Sequence, residues 1–229
     1  MNETIRKRKS IRKYDMTKLD AAALEKVRTQ IESVTPLYPG IRYSIEIVDK
    51  TNGLFNIKAP HYLIFRSEDK EGSLENIGFI GQQLDLFFSE SGLGACWLGA
   101  SKPTEKEAST LPHVIATGFG KPAEPLHRDV FRFKRKSLSA ISEGSDERLE
   151  AARLAPSGQN AQGWFFVADG GKIHCYRKKI LLGFMNKLGA IDMGISLCHI
   201  AKESESFRFV KEPDVPERKG YIYTGTVGQ

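Results

Sequence analysis

The tetrapeptide Lys-Arg-Lys-Ser occurs twice in this 229-residue chain, at positions 7–10 and 134–137, followed each time by a branched aliphatic residue, Ile11 or Leu138. Repetition at so long a period constrains architecture before any motif is read, because each copy must bury its apolar face against the other or against itself. The copies continue in parallel. In the first, Asp20 stands where it can cap a helix carrying Leu24, Val27 and Ile31 at helical spacing, and Pro36, Pro39 and Gly40 end it. In the second, Asp146 precedes Leu149, Ala152 and Leu154, and Pro156 closes the segment.

Strand-like runs follow in both copies: 43–48 and 61–65 in the first, 164–167 and 173–176 in the second, with Asn52-Gly53 and Gly170-Gly171 as turn signals. Each copy then has a long helical pattern, Ile77, Ile80, Leu84 and Phe87 in one and Leu188, Ile191, Ile195 and Cys198 in the other, at the same spacing. Gly78, Gly81, Gly189 and Gly194 lie within these patterns although glycine costs roughly 1 kcal/mol relative to alanine inside a helix, which points to close helix packing. A strand ending in Thr-Gly closes each copy, at 114–118 and 221–225. This order predicts an α+β fold of antiparallel sheets packed against helices, internally duplicated, with a long central helix in each half. The halves are expected at 1–133 and 134–229, packed together like a homodimer fused into one chain.

Composition narrows the function classes. With 40% hydrophobic and 27% charged residues the chain is ordinary for a globular protein, no run approaches the ~20 apolar residues of a membrane span, and the first residues lack a secretory segment, so a cytoplasmic protein without a membrane partner is expected. Cys96, Cys175 and Cys198 are odd in number and set among apolar neighbours, as reduced core thiols are. The net charge of +6 is concentrated in two clusters at the repeat starts, 6–13 and 128–136. Each carries a hydroxyl beside its cations, which suits phosphate, whether of a cofactor or of nucleic acid. The aromatic residues near these clusters, Tyr14, Phe131 and Phe133, form no stacking ladder, which weighs against a nucleic-acid partner. Isolated histidines and the lack of paired carboxylates or metal-ligand spacing leave no catalytic acid, nucleophile or metal site to name.

The copies differ where chemistry would be kept. Only the first contains Arg8-Lys9-Ser10-Ile11-Arg12 and the segment Gly92-Leu93-Gly94-Ala95-Cys96-Trp97-Leu98-Gly99; only the second contains Ala155-Pro156-Ser157-Gly158-Gln159-Asn160-Ala161-Gln162-Gly163-Trp164. These three segments, with Thr117-Gly118-Phe119-Gly120-Lys121-Pro122 and the basic stretch through Arg135, resemble the FMN-dependent nitroreductase family. Their order is unusual for that family, since the Pro-Ser-x-x-Asn turn normally follows the first helix. Family members bind flavin at a homodimer interface, with the phosphate grip from one subunit and the turn from the other. The resemblance therefore implies a diverged branch in which one chain holds both partners and keeps one of two equivalent sites.

The resemblance implies that Arg8, Lys9, Ser10 and Arg12, with Arg135, hold the flavin phosphate. Pro156, Ser157, Gln159, Asn160 and Gln162 would meet the ribityl chain and pyrimidine edge, and Leu98, Gly99 and Ala100 would bring a backbone N–H to the ring. A flavin carries hydride chemistry itself, so no catalytic side chain is needed. The activity implied is ping-pong transfer of two electrons from NAD(P)H to a small-molecule acceptor such as a nitroaromatic or quinone. The alternatives are a flavin-binding protein with little turnover and, further off, a basic nucleic-acid-binding module.

Overall fold

The computed structural model describes residues 2–53, 57–104 and 109–228. A short helix α1 (Glu3–Lys7) precedes α2 (Ala21–Ser33), whose cap is Asp20: its carboxylate accepts the Ala23 N–H at 2.8 Å. Strands β1 (Tyr43–Val48), β2 (Thr51–Gly53) and β3 (His61–Ser67) lead to the long α3 (Ser73–Glu90), then β4 (Gly94–Leu98), β5 (Ser101–Pro103) and β6 (His113–Gly120). The second stretch holds α4 (Leu138–Ile141), β7 (Ser142–Glu143), α5 (Leu149–Leu154), β8 (Trp164–Asp169), β9 (Lys172–Lys178), the long α6 (Gly183–Lys202), β10 (Arg208–Val210) and β11 (Tyr221–Gly228).

One sheet runs β1-β3-β6-β4 and is antiparallel throughout; a second runs β10-β11-β9-β8-β7 and is antiparallel except for the parallel β7–β8 pair; β2 and β5 form a small third one. The class is α+β, as the periodicities indicate. Every residue of β3 is buried, in keeping with its unbroken Leu63-Ile64-Phe65 run and its inner place in the sheet. The Gly170-Gly171 pair turns at φ +53° and +78° between Asp169 and Lys172, which pair directly across β8 and β9. Asn52-Gly53 is not a turn. It lies in β2 paired with β5, and glycine is required there because a Cβ on Gly53 would stand 2.5 Å from the Ala100 carbonyl oxygen.

The two long helices cross at glycine. A Cβ on Gly78 would meet the Ile191 carbonyl oxygen at 2.0 Å, and one on Gly194 would meet the Glu75 carbonyl oxygen at 1.9 Å. The contacts are reciprocal, each glycine lying three residues after the carbonyl that receives the other. Gly81 makes room for the Trp97 ring, whereas Gly189 has nothing within 4 Å of its Cβ position and so does not serve the crossing. The main core gathers around this crossing, with Ile77, Ile80 and Leu84 from α3 and Ile191, Ile195 and Cys198 from α6 all buried. Cys96, Cys175 and Cys198 are free and buried. Among the described residues no helix is long and apolar enough to cross a membrane.

Candidate flavin site

Residues after α1 run in an extended path along the edge of β4. The Ile11 N–H donates to the Ala95 carbonyl at 2.9 Å, the Tyr14 hydroxyl donates to the Gly118 carbonyl at 3.0 Å, and Glu124 accepts the Arg12 and Lys13 N–H groups at 2.8 and 3.3 Å. Ile11 is wholly buried, fitting where Gly94 has no side chain. Its neighbours Ser10 and Arg12 face a cleft.

The opposite wall is the turn after α5. Three of its non-glycine residues, Gln159, Asn160 and Gln162, have φ near +50°, a conformation that needs outside support. The basic stretch before α4 supplies it. The Lys136 N–H donates to Gln162 Oε1 at 2.7 Å, Arg135 Nη1 to Asn160 Oδ1 at 2.6 Å, and Asn160 Nδ2 to the Lys134 carbonyl at 2.7 Å. Within the turn, the Gln162 N–H donates to Ser157 Oγ at 3.0 Å. The second Lys-Arg-Lys-Ser copy thus buttresses the turn. Gln162 lines no part of the cleft, because its side chain is spent holding this geometry; every other residue expected at the site does line it.

The cleft has two adjoining chambers that share Ser10, Arg12, Pro156, Ser157 and Gln159. One, of about 480 Å³, is cationic, bringing Arg128, Arg132 and Lys134 to the expected Arg8, Lys9, Arg12 and Arg135. Two of these charges are neutralised: Arg8 Nε lies 2.8 Å from Asp85, and Lys9 Nζ lies 3.3 Å from Glu124. Arg8 is therefore held in a buried ion pair rather than standing free. The remaining guanidiniums crowd one another. Burial, then the charges of Arg8 and Arg12, pull Arg128 down to about 10; burial, then Arg128, Arg8 and Arg153, pull Arg135 down to about 9. Arg8 Nη1, Arg128 Nε and Arg135 Nε are buried with no partner among the described residues, so the chamber is short of an anion.

Behind Arg8 the polar groups are matched. Burial raises the Asp85 carboxyl, opposed by Arg8 and by the Gln82 amide, which donates to it at 3.0 Å. The same Gln82 nitrogen lies 3.0 Å from His199 Nε2, and Gln82 Oε1 accepts from Trp97 Nε1 at 3.4 Å. His199 Nδ1 lies 2.9 Å from the Ala151 carbonyl and donates to it, leaving Nε2 as the acceptor for Gln82. Burial drives this imidazole down to about 3, so it is neutral. His199 is a satisfied core residue, and Trp97 is anchored to α3.

The second chamber, of about 460 Å³, is mostly apolar. It runs between the end of β4 with the following Gly99 and Ala100, the Pro156 turn, and the α6 face carrying Phe184, Leu188 and Ile195. The backbone at Gly99 is open to it, and a Cβ there would meet Leu188 at 3.2 Å. Among the described residues one acid faces this chamber, Asp192 of α6. It accepts the Gly158 N–H at 3.0 and 3.1 Å through its two oxygens, and burial pushes it up to about 7. Asp192 was not read as a site residue from sequence. The signal was there: it is the single acid in α6, set between Ile191 and Met193.

An anion-hungry cationic chamber opening onto an apolar one fits a phosphate-bearing ring cofactor, and the residues present fit flavin mononucleotide. Among the described residues no three His, Cys, Asp or Glu side chains gather as a metal site would require.

Residues 1–204 match the family model described as "Putative TM nitroreductase". The structure is similar to that of a "putative nitroreductase" from Thermotoga maritima, with a TM-score of 0.65 at 22% identity over 98% of this chain and 91% of that one. It is similar also to a nitroreductase family protein from Clostridium difficile, with a TM-score of 0.51 at 17% identity over 64% of this chain and 99% of that one. No match was found among curated proteins.

Proposed function

The chain belongs to the nitroreductase family, and from that premise we propose that it binds FMN and passes two electrons from NAD(P)H to a nitroaromatic, quinone or similar small acceptor by a ping-pong mechanism. The observation that carries the reading is the cationic chamber with three buried, partnerless guanidinium nitrogens opening directly onto an apolar chamber. Arg12, Arg128, Arg135 and Ser10 would grip the phosphate dianion through charge-assisted hydrogen bonds. Pro156, Ser157 and Gln159 would meet the ribityl and pyrimidine side, and the backbone from Leu98 to Ala100 the ring. When bound, the flavin supplies the hydride chemistry. The chain's own residues bind it, hold its plane, and keep water from one face.

We further propose that residues 1–133 and 134–229 are the two halves of a fused pseudo-dimer retaining one flavin site. The reciprocal Gly78 and Gly194 contacts support a pseudo-two-fold at the helix crossing. So does a matched pair of turn anchors two residues before each glycine: Asn76 Oδ1 accepts the Tyr38 N–H at 3.0 Å, as Asp192 accepts that of Gly158. On the side related by that axis the space is smaller, about 220 Å³, and is lined by the Tyr38 ring against Gly72 and by the Arg177–Glu75 ion pair.

Anaerobic stopped-flow tests the activity. Mixing the flavin-loaded protein with NADH or NADPH should bleach the flavin within the turnover time, and menadione should restore its colour, with parallel double-reciprocal plots in steady state. Bound flavin that neither nicotinamide reduces would refute the proposal.

A further inference from the structure

Among the described residues Asp192 is the one acid facing the apolar chamber, and nothing in the flavin reading uses it. Its side chain is buried, and among the described residues its oxygens accept only the Gly158 N–H and no cation pairs with it. The other titratable groups lining the chamber among the described residues are Arg12, from the extended N-terminal path, and the buried thiol of Cys96 on β4. Across the helix crossing, Glu75 of α3 is paired with Arg177 of β9; the Pro156 turn brings no charge.

The molecule contains its own control for a structural explanation. Asn76 occupies the corresponding place on α3, two residues before the crossing glycine, and fastens the Tyr38 turn with a neutral amide oxygen. Fastening a turn at this position therefore needs an acceptor and not an acid. Of these two anchors, only the one that opens into the chamber is a carboxyl, where an unpaired buried charge costs several kcal/mol and the proton is favoured instead. Burial holds the group at about 7, near the pH at which a proton donor works best.

We infer that Asp192 is the proton donor to the acceptor reduced in the apolar chamber, an acceptor of the class that takes up two electrons and two protons, such as a quinone. This rests on the oxidoreductase reading above. Reduction of a quinone to a hydroquinone balances as follows. A hydride equivalent from the reduced flavin accounts for two electrons and one proton. The second proton leaves Asp192 Oδ as the new O–H bond forms on the quinone oxygen, and solvent water reprotonates the carboxylate.

The test uses two readouts. The first is infrared difference spectroscopy of the ligand-free protein between pH 5.5 and 8.5, where a protonated carboxyl band should be lost with a midpoint near 7 and be missing in Asp192→Asn. The second is the ratio of turnover with menadione, which needs the proton, to turnover with ferricyanide, which takes electrons alone. The ratio should fall at least tenfold in Asp192→Asn, within the ~10²–10⁴ range of general acid catalysis, and recover in part in Asp192→Glu. An unchanged ratio in Asp192→Asn, or a carboxyl already ionised at pH 5.5, would overturn the proposal while leaving the flavin reading intact. Absence of ferricyanide turnover in the wild type with either nicotinamide would overturn the oxidoreductase reading and this proposal with it.

Discussion

Gly194→Ala adds one methyl group where the structure has no room for it. Its ideal Cβ stands 1.9 Å from the Glu75 carbonyl oxygen, 2.7 Å from the carbonyl carbon and 2.9 Å from the Phe79 nitrogen, all backbone atoms that cannot rotate away. Restoring an ordinary 3.4 Å contact means moving α6 from α3 by about 1.5 Å, the difference between 3.4 and 1.9. Overpacking of this kind costs ~1–3 kcal/mol or more, set against ~1 kcal/mol gained from helix propensity. Because the whole crossing must shift, the upper end applies and the net loss is about 2 kcal/mol. Gly189→Ala, five residues earlier in the same helix, meets nothing within 4 Å and should gain up to ~1 kcal/mol from propensity alone. Chemical denaturation of both variants beside the wild type measures the difference, expected at about 3 kcal/mol. Melting would drop by roughly 4–8 °C for Gly194→Ala, at ~2–4 °C per kcal/mol for a chain of this size. Because α6 and the end of β4 are opposite walls of the apolar chamber, the same variant should also retain flavin less well. Equal stability of the two alanine variants would refute the close-crossing argument.

Other expectations follow from the site. Asp85→Ala leaves the Arg8 guanidinium buried and uncompensated and should destabilise the chain by ~3–5 kcal/mol in a denaturant titration; a loss under ~1 kcal/mol would contradict the buried pair. Arg12→Ala and Arg135→Ala should each weaken FMN binding roughly ten- to hundredfold, as lost charged hydrogen bonds of ~1.5–3 kcal/mol require, read from quenching of flavin fluorescence. Unchanged affinity in both would remove the cationic chamber from the account. The His199 imidazole, held down to about 3 against an ordinary 6.5, should show no ring-proton titration by NMR from pH 8 to pH 4. Since the unfolded chain binds that proton first, His199 contributes stability that is complete above pH 6.5 and is lost as pH falls toward 3; titration of the ring near 6.5 would show that it is not buried as described. Asp192 has the opposite sign. Its raised value makes the folded state the better proton binder, so its contribution is present below the ordinary carboxylate range and lost as pH rises through about 7, a dependence that Asp192→Asn should abolish.

Local elements were legible because their causes are local. Asp20 caps α2 through its own side chain, Gly170-Gly171 takes the positive φ values of a tight hairpin, and the apolar spacing at Ile77 to Phe87 and Leu188 to Cys198 lies within the two long helices. What was not legible depends on partners far apart in sequence. The helical spacing aligns Ile77 with Leu188, whereas the reciprocal contacts set Gly78 against Ile191 and Gly194 against Glu75, because the crossing register is set by where two backbones can touch. Asn52-Gly53 reads as a turn until the Ala100 carbonyl, a chain segment away, is found against it. The site residues emerged from motif resemblance, but their division of labour did not. Gln162 and Asn160 carry the polar groups a cofactor would use, yet their amides are engaged by Lys134, Arg135 and Lys136, a contact that composition cannot signal. Asp192 carries no sequence motif, being a single acid in an apolar helix; its meaning comes from the chamber it faces.

The central claim is one flavin site assembled from both parts of a single chain. Its most direct test is to load the purified protein with excess FMN, desalt it, release the flavin by denaturation and quantify it against protein. Close to one FMN per chain is expected, with retention falling in both Arg12→Ala and Gly158→Pro, one from each wall of the cleft. Two flavins per chain, or none retained by the wild type, would contradict it.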